Sequence, residues 1–219
     1  MGSGADDFLA RMRVARRDLG RLLFHLTRTP GPQTPPLRTR SYPPSAHDAL
    51  RNILIEGRLA GTSGFIRGGY KCICFSESPI TELVSLFKLS ELAAQQSQRP
   101  KYEPYGVAVT KDWLFARGGR PVIYQPDSEY EQLPESLRYR HVRYEPPGID
   151  FTWEREWRLC ANELRLEPES TLVVVPTSKD AFDIMYTHAD WQADFDREGE
   201  PEHAYPEPEW MAVSLDFFG

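Results

Sequence analysis

The sequence predicts an α+β domain, and three observations point to it. Apolar residues recur at helical spacing in the first half, whereas the second half is made of short runs rich in Val, Leu, Tyr and Trp. Helices thus come early and strands late, which argues against a regularly alternating parallel array. The 219 residues, 40% hydrophobic and 26% charged, supply one sizeable core and little more. One domain spanning residues 1–219 is the expectation.

Residues 5–19 read as a helix, within an N-terminal helical segment 1–20. Phe8, Leu9, Met12, Ala15 and Leu19 recur at helical spacing, and Asp6 and Asp7 occupy the start, where acids suit the helix dipole. Gly20 ends it, and LLFHLT (Leu22 to Thr27) reads as a buried strand. Residues 30–44 are proline-rich and predict a long loop. Ser45 or His47-Asp48 opens a second helix, which stops at Gly57. A glycine-rich link (Gly61, Gly64, Gly68, Gly69) leads into a strand from Tyr70 to Phe75. Ser78 then caps a third helix with Pro79 in its first position, and Ile80, Leu83, Val84, Leu86, Phe87 and Leu89 form its apolar face.

Beyond residue 100 the pattern predicts strands over 105–109, 121–124, 137–144, 153–159, 172–175 and 210–217. A helical turn at 111–116 and a helix over 178–187 interrupt them. Residues 190–209 carry Asp190, Asp194, Asp196, Glu198, Glu200, Glu202, Glu207 and Glu209 against Arg197 alone, and read as an acidic surface loop. The first third is basic instead, a composition that suits either a solvated face or contact with a polyanion.

Several classes are excluded or disfavoured. No apolar run reaches the roughly 20 residues that span a bilayer, and the N-terminus has no secretion-type apolar segment, so a soluble cytoplasmic protein is expected. Cys72, Cys74 and Cys160 are an odd set without metal-ligand spacing, and Cys72 and Cys74 read as reduced core residues on one strand face. The histidines are scattered, with no HExxH, and no Walker loop, GxGxxG or GxSxG elbow is present. A resident metal is not expected.

What remains are polar residues set into apolar strands. His25 and Thr27 share one face of the first strand by their two-residue spacing. Ser76 and Ser78 follow the strand CICF with the same spacing. In WEREWRL, Glu154 and Glu156 are expected on one strand face, flanked by Trp153 and Trp157. Two carboxylates beside indoles are costly unless they meet water, arginine or a ligand. Such a pair is either a surface strand whose acids pair with Arg155 or Arg158, or a site.

In that order, His-x-Thr, Ser-x-Ser and Glu-x-Glu resemble the three motifs of the ADP-ribosyltransferase superfamily. LFHLTRT with the following helix ending IEGRLAG resembles DarT-type nucleic-acid-modifying toxins. CICFSESPITELVSLF, YGVAVTKDWLFARGGRPVIY and EREWRL are similar to abortive phage resistance proteins of the AbiGi kind. The resemblance covers most of residues 20–160. It implies a split β-sandwich with N-terminal helices, NAD as a substrate, and no metal. It also implies Glu156 as the catalytic carboxylate, Glu154 as its assistant toward the acceptor, and His25, Thr27, Arg28, Tyr70 and Ser76 around NAD. Arg40 and Arg67 are the acceptor-side candidates. The implied acceptor is DNA or RNA ahead of protein, and the implied setting is a toxin or phage-defence effector, with an antitoxin as a possible partner. Hydrolysis of NAD on the same fold, or a non-catalytic nucleic-acid or partner-binding module, fits the same residues.

Overall fold

The computed structural model describes residues 20–29, 45–95, 103–185 and 210–218. The expected helix at 5–19, the proline-rich loop with Arg40 and the acidic stretch 190–209 lie outside the described residues.

Seven strands make one mixed sheet. In spatial order they are β11 (Met211–Ser214), β10 (Thr171–Val175), β4 (Gly106–Thr110), β1 (Leu22–Leu26), β3 (Cys72–Ser76), β8 (Glu156–Cys160) and β5 (Arg120–Pro121). All neighbours are antiparallel except β10 and β11, which run parallel. Two small sheets flank it: β2 (Arg58–Ala60) with β9 (Glu163–Arg165), and β6 (Ile123–Gln125) with β7 (His141–Arg143). The helices are α1 (Ala46–Glu56), α2 (Ile80–Gln95), α3 (Lys111–Ala116) and α4 (Glu135–Arg138), and residues 178–185 are helical as well.

The central strands read as continuous apolar runs because both faces of the sheet are covered. On one face Leu23, Ile73, Phe75, Val107, Val109 and Val173 pack with Leu50 and Leu54 of α1. On the other, Phe24, Ala108 and Val174 meet Leu83, Val84 and Phe87 of α2. α1 is bounded as its sequence predicts: Ser45 Oγ accepts from the Asp48 amide, and Gly57 closes the helix at φ 59°.

β1 pairs with β4 along its whole length, from Leu22 opposite Thr110 to Leu26 opposite Gly106. Toward β3 it makes a single rung, Phe24 opposite Ser76. The sheet therefore opens between β1 and β3, and the Cys74 carbonyl is met there by His25 Nδ1 at 2.8 Å.

Several expectations need correction. Helices and strands interleave along the chain, so the α+β assignment rests on the antiparallel pairing and not on segregation in sequence. The stretch 121–124 divides between β5 and β6, in different sheets, and 137–144 begins as α4 before becoming β7. Ser78 does not cap α2: its hydroxyl donates to the Trp153 carbonyl, and the Pro79 carbonyl accepts the first amides, from Glu82 and Leu83. The strand expected from Trp153 starts only at Glu156.

Gly106 is a tight contact in this framework. A Cβ there would lie 2.2 Å from the His25 carbonyl oxygen and 3.0 Å from Leu26 Cα. Both obstacles are backbone, so relief requires a strand shift. Gly106→Ala should lower stability by about 2–3 kcal/mol, read as a reduced urea midpoint with an unchanged slope.

Candidate functional site

The three polar motifs arrive on adjacent strands. His25 is on β1, Ser76 ends β3 and Glu156 opens β8, and these three strands lie side by side in the order β1–β3–β8. Ser76 is the direct cross-strand partner of Glu156, Cys74 of Arg158, and Cys72 of Cys160. Backbone groups at both ends of this row turn away from the partner strand. Cys72 exchanges both its bonds with Thr62, while Glu156 donates to Tyr124 Oη and accepts from the Val122 amide. The row is thus of the non-hydrogen-bonded kind, in which opposed side chains approach most closely.

Glu156 is held by Arg158, two residues on and on the same face. Nε and Nη2 of Arg158 donate to the two carboxylate oxygens at 2.8 and 3.1 Å, and Nη1 donates to the carbonyls of Tyr139 and His141 at 2.8 and 2.9 Å. The side chains are 6% and 13% exposed. Burial works against the guanidinium charge, yet the bonds to Glu156 outweigh it and raise the Arg158 pKa above its ordinary value. The pairing expected for a surface strand is therefore present, but in a buried, bidentate form. Arg158 was visible in the sequence only through its two-residue spacing from Glu156.

Glu154 is not on this face. It belongs to a 3-10 turn over Thr152–Glu154, and Arg155 follows with φ 44°, so the two-residue alternation does not extend back from Glu156. Ser76 Oγ donates to the Glu154 carbonyl at 2.7 Å and lies 3.1 Å from Ser78 Oγ, which ties the turn to the end of β3.

Beside Glu156 lies a shallow pocket of about 210 Å³, lined chiefly by Glu77, Tyr124, Thr152, Arg155, Glu156 and Trp157. That volume is below the ~300–1,000 Å³ usual for whole small-molecule sites, so it holds only part of a drug-sized ligand. The second carboxylate of the pocket is Glu77, which the sequence did not single out. Trp157 Nε1 donates to it at 2.8 Å, and Lys111 Nζ pairs with it. Tyr124 lines the pocket too, and burial raises its pKa to about 12, so its hydroxyl stays protonated.

The other expected residues are dispersed. The pleat puts His25 with Phe75, 5.6 Å away ring to ring, on the face opposite Ser76 and Glu156. Its Nδ1 faces a carbonyl and so carries the proton, leaving Nε2 as an acceptor. Thr27 is buried, and its hydroxyl contacts the carbonyls of Ala46 and Tyr105, which anchors α1. Arg28 is exposed, over the Phe65 ring. Tyr70 packs against Tyr130 and Gly68, where a Cβ would lie 2.7 Å from the Tyr70 ring, and it does not line the pocket. Arg67 pairs with Asp127 at 2.8 Å and lies over Tyr130 at 4.0 Å. Among the described residues, no group of three or more His, Cys, Asp or Glu could hold a metal, and no helix is long and apolar enough to cross a membrane.

Comparison of the chain with protein-family models, with curated proteins and with solved structures finds no match.

Two predictions follow from these contacts. Arg158→Met leaves a part-buried carboxylate unpaired and should cost about 2–3 kcal/mol, whereas Glu156→Gln combined with Arg158→Met should recover much of that loss; chemical denaturation of both variants measures it. The second concerns His25, whose pKa burial lowers from 6.5 against the opposing effect of its bond to Cys74. Between the two values the unfolded chain binds more protons, so the contribution to stability is full above pH 6.5 and is lost as the pH falls through the folded pKa. His25→Asn retains an amide donor for the Cys74 carbonyl and does not titrate, so its denaturation midpoint should lack that acid-side decline.

Proposed function

We propose that the protein is an NAD-dependent ADP-ribosyltransferase whose catalytic carboxylate is Glu156. The observation that supports this reading is the convergence of the His-x-Thr, Ser-x-Ser and Glu-carrying segments on three neighbouring strands, with Ser76 directly opposite Glu156. These segments are far apart in sequence, and a purely decorative set of polar residues has no reason to assemble at one end of one sheet. The opening between β1 and β3 is the feature that suits a split β-sandwich, the finer fold that the resemblance implies.

NAD supplies a ribosyl centre whose bond to nicotinamide breaks with oxocarbenium-like charge, as in glycoside hydrolysis. Glu156 is the group to stabilise that charge, and fixed electrostatics of this kind are commonly the largest catalytic contribution. Arg158 holds the carboxylate in one orientation while leaving lone pairs free for a ribose hydroxyl. Tyr124 and Trp157 form the aromatic wall of the pocket, and Ser76 secures the turn that carries Arg155 to its rim. His25 Nε2 is available to a hydroxyl of the adenosine ribose at the sheet opening. Thr27 is assigned no direct contact, because its hydroxyl serves α1. Glu154 keeps at most an acceptor-side role from the turn, and Glu77 is the better-placed second carboxylate.

A nucleic-acid acceptor is favoured by the resemblance to DarT-like toxins and by the basic first third. Within that third, Arg58 and Arg67 pair with acids while their side chains stay exposed. A toxin or phage-defence role, with an antitoxin partner, belongs to the same proposal.

Incubation with NAD labelled in the adenylate moiety tests it. Wild-type protein should release nicotinamide and transfer label to DNA, RNA or protein. Glu156→Gln, with near-UV dichroism confirming its fold, should lose about 100-fold or more of that rate. Release without transferred label assigns NAD hydrolysis to the same residues. No release, or full activity in Glu156→Gln, rejects the reading.

A further inference from the structure

The far end of the β3–β8 ladder holds a second paired feature, outside the pocket. Cys72 and Cys160 are directly opposed across the two strands. Both backbone bonds of Cys72, at 2.9 and 3.0 Å, go to Thr62 on the opposite side, and the neighbouring Ala161 amide donates to Lys71. The cysteines therefore occupy a non-hydrogen-bonded rung, where α-carbons lie about 4.5 Å apart, inside the roughly 4.4–6.8 Å that a disulfide spans. The thiols are in contact: burial first, and then Cys160, raise the Cys72 pKa to about 12. Both are free thiols, Cys160 exposed and Cys72 only 2% exposed.

The third cysteine lacks this geometry. Cys74 is opposed by Arg158, and along its own strand it lies about 7 Å from Cys72 with a parallel Cβ direction, at the limit of what can be bridged.

We propose that Cys72 and Cys160 form an oxidation site, at which a small-molecule disulfide converts the two thiols into a cystine linking β3 to β8. The exposed Cys160 gives its proton to solvent, and the thiolate attacks one sulfur of the small disulfide and expels the other half as a thiolate, which takes a proton from solvent. The product is a mixed disulfide on Cys160. Cys72 then gives its proton to solvent, attacks Cys160 Sγ and expels the second half as a thiolate, which takes a proton from solvent in turn. Two protein thiols lose two electrons in all, and one small disulfide becomes two small thiols. Burial of Cys72 makes it the resolving partner and not the first nucleophile, because only the thiolate attacks. The site is independent of any activity toward NAD, since it needs only the β3–β8 register.

The test is treatment of the folded, full-length protein with oxidised glutathione, followed by thiol titration and peptide mapping without reductant. The titre should fall from three thiols to one, with loss of two hydrogens in the intact mass, no retained glutathione, and a linked peptide pair carrying Cys72 and Cys160. Cys74→Ser should oxidise in the same way. Cys72→Ala should stop at a stable glutathione adduct on Cys160. An undiminished titre in wild-type protein, a persistent adduct on its Cys160, or a link through Cys74 would each overturn the proposal.

Discussion

A guanidinium removed from water has to be answered on every side, and the answer given to Arg158 organises this half of the molecule. An unpaired buried ion costs several kcal/mol, so Arg158 is tolerated only because Glu156 takes two of its donors and the Tyr139 and His141 carbonyls take others. Those two carbonyls belong to the segment entering β7, which is thereby fixed over the face of β8. Tyr130 packs edge-on to His141, and Tyr70 meets Tyr130, so an aromatic cover is built outward from a single charge. The same constraint sets the direction of the Glu156 carboxylate. Its orientation is a product of the fold's electrostatic needs before it is a matter of chemistry.

The two faces of the sheet divide the work. One carries an apolar core beneath α1 and holds His25 at the opening beside β3, and the other presents the Ser76, Glu156 and Arg158 row. A ligand that reaches both His25 and Glu156 must cross the end of the sheet, not lie on one face of it. An extended two-part molecule meets that demand better than a compact one.

Features set by local chemistry could be read from the sequence. Ser45 and Gly57 bound α1 because capping depends on the residue itself and its immediate neighbours. β1 stood out because both its faces are buried. The adjacency of the motif strands is not written in any periodicity of the sequence. Features set by tertiary context were not readable. β2 and β9 are three-residue strands, each with a single buried leucine, Leu59 or Leu164, between exposed neighbours. Ser78 looks like a cap, yet its hydroxyl is drawn to a carbonyl 75 residues away in the chain. Glu154 was misplaced because alternation was extended through Arg155, a non-glycine residue whose backbone departs from the strand region. Glu77 and Tyr124 carry no motif and become part of the pocket only when β3, β6 and β8 come together.

That departure at Arg155 has an effect of its own. A left-handed residue is an expensive joint for an L side chain, and here its carbonyl is held by the Glu77 amide at 3.2 Å. It separates the parity of β8 from everything before it. One residue gained or lost upstream of the turn, within 146–151, can be absorbed there without rotating Glu156 from one face to the other. The same change within Glu156–Cys160 would invert the whole ladder. The strand's side-chain phase is thus insulated from the length of the loop that feeds it, and that loop is free to vary while the carboxylate stays where it is.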